Sequence, residues 1–176
     1  MVARDSRTLD ELLDDFDTAM LITRAPDGAL RSRPMAIAGR HAGGVLYFAT
    51  SIDAPKVGEL EDEPDVNVAL QGRKKFLSLS GRARIVDDRN LIDEFWSPAW
   101  KLWFPEGKED PSLTLIEIQP ETGEFWDRSG LKGARFLLEA GKAIFSGKEV
   151  DYEAPDAHGR VELGAARDSS LRGDPA

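Results

Sequence analysis

Apolar residues change their spacing repeatedly along the chain, and each change marks an element. Leu9, Leu12, Leu13 and Phe16 recur at i, i+3, i+4 and i+7, one helical face, with Thr8 and Glu11 at capping-box separation. The period then shortens to that of strands over residues 19–24, 29–38 and 45–50, separated by "APDGA" and "GRHAGG". Connections this short favour an antiparallel meander over parallel crossovers. "DAPKVGELEDEP" predicts a short helix, with Pro55 in its first turn and Pro64 beyond its end.

Strand spacing resumes over 66–71 and 76–86, where Gly81 predicts a bulge or bend that lets the sheet curl. "DDRNLIDEFWSPAW" predicts a second helix, with Leu91, Ile92, Phe95 and Trp96 on one side and Pro98 near its end. "SLTLIEIQP" and "TGEFWD" supply two more strands around a turn at 120–123. After Gly130, "GARFLLEAGKAIF" can form one helix and "RVEL" a short strand, and the small, polar residues from about Gly164 predict a frayed tail. The predicted organisation is a barrel domain over 1–130 that includes the opening helix, a helix and short strand packed on it over 131–163, and a flexible tail over 164–176. Helices do not alternate with strands, which excludes a doubly wound sheet; the fold class is mainly β, a small closed or partly closed barrel with a few helices.

Charge narrows the function. A net charge of −9 and a pI near 4.8 are the wrong sign for a protein whose main partner is nucleic acid or an anionic membrane. An anionic ligand would need a local cluster of cations working against the overall field. The chain has no cysteine, which excludes disulfides, thiol nucleophiles and thiolate metal sites and fits a reducing cytoplasm. No apolar run has the length of a signal-peptide core or a membrane span, so a soluble protein is expected. The two histidines, His41 and His158, make a poor metal set, and G-x-S-x-G, Walker and G-x-G-x-x-G motifs are absent.

One constellation remains. In "RSRPMA", strand alternation puts Arg31, Arg33 and Met35 on one face. Thr50 and Ser51 end the next long strand, and Lys56 lies in the first turns of the following helix. Guanidinium, hydroxyls, ammonium and helix-start N–H groups are what a phosphate needs. The residues alone leave a second reading open, in which the arginines form a solvated face and Thr50 and Ser51 cap the helix. Trp96, Trp100 and Trp103 fall at i, i+4 and i+7, most simply a core or interface stripe on one helix. Trp126 closes a strand and could stack on a planar ligand.

"RSRPMA", "LYFATS", "APKVGELEDEPDVNVAL", "LSLSGRARIVDD", "FWSPAWKLWFPEGKEDPSLTLIEIQP" and "GEFWD", in this order, resemble the pyridoxamine 5′-phosphate oxidase-like flavin-binding split barrels, within them the general stress protein branch. The resemblance implies a six-stranded antiparallel split barrel, dimeric, with FMN at the dimer interface and a small-molecule substrate or electron donor. It implies that Arg33 and Lys56 bind the FMN phosphate with Thr50 and Ser51 as hydroxyl partners. Met35 and Ala49 would lie along the ring and ribityl chain, and Trp126 would come from the second subunit. An oxidoreductase linked to stress is the leading expectation, with a flavin-storing or flavin-sensing protein as the alternative. FAD or a deazaflavin could replace FMN, and haem would have to rely on His41. "RSGLKGARF" lacks the basic, histidine-bearing motif with which the oxidase proper grips its substrate, and Phe76 replaces a glutamine near the flavin. Both departures argue against pyridoxamine phosphate as the substrate.

Overall fold

Alternation in the sequence becomes alternation in burial: in "TAMLITR", Ala19, Leu21 and Thr23 are buried, and in "DVNVALQ", Val66, Val68 and Leu70. The computed structural model describes residues 9–127 and 158–162. Its strands are β1 (Thr18–Arg24), β2 (Leu30–Ala36), β3 (Gly39–His41), β4 (Val45–Ser51), β5 (Asp65–Gln71), β6 (Lys75–Val86), β7 (Leu113–Asp127) and β8 (His158–Glu162). Helices α1 (Pro55–Asp62) and α2 (Arg89–Phe95) and two 3-10 turns, Pro98–Leu102 and Gly107–Glu109, complete the elements. Residues 9–13 are also helical and bring Leu9 and Leu13 into the core.

The strands form one antiparallel sheet in the order β2-β1-β5-β6-β7-β4-β3, with β8 added to β7. The sheet curls into the expected split barrel. The simple meander is interrupted, because β4 pairs with β7 and not with β2. The two strands beyond the six that the resemblance implies are β3 and β8. Half of "GRHAGG" is β3, which returns into β4 through Gly43 and Gly44, both at positive φ. The short strand expected near the end is β8; the preceding helix and the tail fall outside the described residues.

The turn expected at 120–123 does not exist, since β7 runs unbroken through it. Up to Ile118 the outer edge of β7 is covered by β4, and from Thr122 by β8. Pro120, which has no N–H to offer, stands where one partner gives way to the other. Opposite it, the β6 ladder slips between Ser80 and Gly81. A Cβ on Gly81 would lie 2.2 Å from the Gln119 carbonyl oxygen, so this bulge requires glycine.

β4 is buried on both faces. Leu46 and Phe48 join the barrel interior with Leu21, Val68, Leu79, Ile116 and Ile118. Val45 and Tyr47 face a second cluster with Ile92, Phe104, Leu113 and Leu115, covered by α2 and the first 3-10 turn. The single long helix expected through Trp100 is broken. Ser97 precedes Pro98, a position disfavoured for helix, and takes an extended conformation (φ −119, ψ 134). Trp96, Trp100 and Trp103 therefore do not form one helical stripe. Trp96 and Trp100 meet edge to face at 5.6 Å against the second cluster, while Trp103 is 68% exposed.

Candidate functional site

No ladder joins β2 to β4, although the two strands approach each other. β2 ends the sheet path and pairs only with β1, and β3 covers β4 only as far as Tyr47. Beyond that point, the free edge of β4 at Ala49 to Ser51 faces the free edge of β2. A cavity of about 760 Å³ lies in this split. Such unpaired strand edges present backbone donors and acceptors that a ligand can satisfy.

Met35, Ala49, Thr50, Ser51 and Lys56 all line this cavity. Phe95, Trp100, Trp103 and Phe104 line it as well, an aromatic part of the wall of which the sequence pattern assigns the first three to packing. Thr50 and Ser51 do not cap α1. The cap residue is Ala54, without a side-chain hydrogen bond, and Ser51 Oγ accepts from the Asp53 N–H at 3.3 Å. Pro55 at the first turn sets the helix direction and leaves Lys56 beside the two hydroxyl residues. Burial, then the nearby charge of Arg33, lowers the Lys56 pKa, against a smaller upward pull from Glu59.

Arg33 does not line the cavity. It is held on Glu59, one helical turn along α1 from Lys56, in a cluster that the sequence does not reveal. Arg33 Nη2 donates to both Glu59 carboxylate oxygens, at 3.0 and 2.8 Å, and Nη1 donates to Thr23 Oγ1 at 2.6 Å. Thr23 in turn donates to Glu59 at 2.6 Å, and Arg31 Nη1 adds a contact at 3.3 Å. Glu59 is only 4% exposed. Burial alone would raise its pKa, but hydrogen bonds from Thr23 and Arg33 and the charges of both arginines hold it below the ordinary carboxylate value. The only sequence signal was a glutamate between the apolar Val57 and Leu60 of a short helix, three residues after Lys56.

Trp126 lies elsewhere. It pairs with Phe76 at the far end of β7, whereas the cavity end of that strand is Thr114, opposite Thr50. A second polar cluster crosses three strands outside the cavity. Tyr47 donates to Glu117 at 2.8 Å, and Arg84 Nε donates to the same carboxylate at 2.6 Å. Burial, then this hydrogen bond, pushes the Tyr47 pKa up to about 12.

Residues 4–151 match the family described as pyridoxamine 5′-phosphate oxidase like, a match over most of the chain. The chain belongs to this family. Within the pyridoxamine 5′-phosphate oxidase-like family it is 35% identical over 86 residues to general stress protein 26 of Bacillus subtilis, covering 46% of this chain and 61% of that protein. The chain thus spans about three fifths of that relative's length. Among solved structures, a general stress protein 26 from Jannaschia sp. is 26% identical with a TM-score of 0.67, covering 91% of this chain and 99% of that one. The general stress FMN/FAD binding protein of Xanthomonas citri is 29% identical with a TM-score of 0.59, covering 71% of this chain and 89% of that one.

Proposed function

We propose that this member of the pyridoxamine 5′-phosphate oxidase-like family binds a flavin mononucleotide in the split between β2 and β4. The observation that carries the reading is the polarity of the cavity. Lys56, Thr50 and Ser51 stand together on one part of its wall, with Arg33 held on Glu59 one turn along α1, while Met35, Ala49 and the aromatic residues line the rest. That donor set fits a phosphate monoester, and the apolar wall fits a flat ring system. The Xanthomonas relative, described as FMN/FAD binding, supports the same ligand class.

Among the described residues no carboxylate or histidine lines the cavity. The described residues therefore bring no carboxylate or imidazole as acid or base to this site, and Lys56 is the one ionisable side chain among them on its wall. A bound flavin supplies hydride and electron transfer; the protein's part is to hold the phosphate, flank the ring and keep water from it. We read the activity as an oxidoreductase of small substrates. The same lack of an acid or base suits a protein that stores or senses flavin, and anaerobic mixing with NADH or NADPH separates the two: rapid bleaching marks a reductase, no bleaching a binder. The second half of the reading is a homodimer in which the partner's copy of the β6–β7 end, with Trp126, completes the site.

The test is direct. Purified protein is expected to carry the flavin absorption bands, and an Arg33→Ala, Lys56→Ala double variant to lose them while its circular dichroism stays unchanged. Full retention of flavin by the double variant would sink the site assignment.

A further inference from the structure

We propose that Glu59 is the positioning residue for the anion-binding end of the cavity: it fixes the Arg33 guanidinium so that the cation stands one helical turn from Lys56 instead of swinging into solvent. This rests on the flavin reading above. Arg33 belongs to β2, an edge strand, and nothing in the backbone would hold so long a side chain in one pose. What holds it is a buried fork. Both carboxylate oxygens of Glu59 accept from Nη2, and Thr23, itself donating to Glu59, accepts from Nη1.

Helix geometry keeps the two charges one turn apart. Lys56 and Glu59 are three residues apart on α1, and they serve opposite tasks: Lys56 lines the cavity, and Glu59 turns to the arginines. Three cations and one carboxylate make up the cluster, Arg31, Arg33 and Lys56 with Glu59. Removing the carboxylate has two opposite consequences for a bound phosphate: the field becomes more positive, and the guanidinium loses its fixed direction. Direction prevails, because Arg31 and Arg33 are partly exposed: water screens a guanidinium that has swung outward, so the charge gained by losing Glu59 does not reach the cavity.

FMN and riboflavin, which differ by the phosphate alone, are the probes. Flavin-fluorescence titration of Glu59→Gln is expected to show FMN affinity reduced about tenfold, the scale of one charged interaction lost, with riboflavin affinity unchanged. On an Arg33→Ala background Glu59→Gln should add nothing, since Glu59 acts through Arg33. Should Glu59→Gln fail to fold, Thr23→Val removes the other support of the guanidinium and is expected to shift FMN affinity in the same direction, by about threefold. Unchanged or tighter FMN binding in either folded variant overturns the proposal, as does an equal loss of FMN and riboflavin. If Arg33→Ala and Lys56→Ala also leave FMN binding untouched, the site reading itself has failed; if they abolish it, only the role of Glu59 has.

Discussion

Lys56 shows what a binding site costs at the scale of one residue. Its pKa is lowered by burial and by Arg33, so the unfolded chain holds the lysine proton more tightly than the folded one. Stability therefore rises with pH across the interval between the depressed value and the ordinary 10.5, and below that interval the charged ammonium works against folding. Replacing it should help the empty protein and harm the loaded one. Lys56→Met is expected to raise flavin-free stability by less than about 1 kcal/mol, the scale of partly exposed charges, while weakening FMN binding. Thermal melts with and without FMN check both signs. Wild-type FMN affinity should also decline, as pH rises, earlier than an unperturbed lysine would allow. That Lys56 belongs with Thr50, Ser51 and Met35 was legible from alternation and from a helix start after a strand. Glu59 was not, because a glutamate in a charged helix reads as solvated, and its burial depends on β1 and β2 arriving from a distant part of the chain.

Among the elements, β7 separates what a sequence says locally from what pairing decides. Proline and glycine at 120–123 are turn signals, yet the strand continues because its partner on one edge changes there and a missing N–H goes unmissed. Gly81, across the ladder, was read correctly as a bulge, since a glycine inside an alternating strand has few other purposes. Gly81→Ala would force a Cβ against the Gln119 carbonyl and the Pro120 backbone, neither of which can rotate away. The expected loss is about 3 kcal/mol, the upper end for overpacking, measured by urea denaturation. The broken tryptophan helix has a similarly local cause. Pro98 is an end signal that also holds the residue before it out of the helix, and that break lets Trp100 and Trp103 line the cavity while Trp96 and Trp100 pack on the second cluster.

For the whole molecule, fold class and curl were readable because strand alternation and short turns left few topologies, whereas the strand order was not, since the β4–β7 pairing joins segments far apart in the chain. The position of Trp126 bears on assembly. One chain holds it at the opposite end of β7 from the cavity, so a role at the flavin needs a second copy. Trp126→Ala is expected to weaken FMN binding several-fold with the mass in light scattering unchanged. Lower stability with unaltered FMN affinity would show that Trp126 serves only its own sheet.

The unclosed split between β2 and β4 carries a cost in the cell. If the split holds a flavin as proposed, that guest acts as a keystone for the unzipped seam, and a ligand present at a hundred times its dissociation constant adds about 2.7 kcal/mol to the folded state. For a domain of ordinary stability that is a sizeable fraction of the whole. Copies made while flavin is scarce would open more often and reach proteases sooner. The abundance of this protein would then follow the supply of its cofactor, without any dedicated regulator.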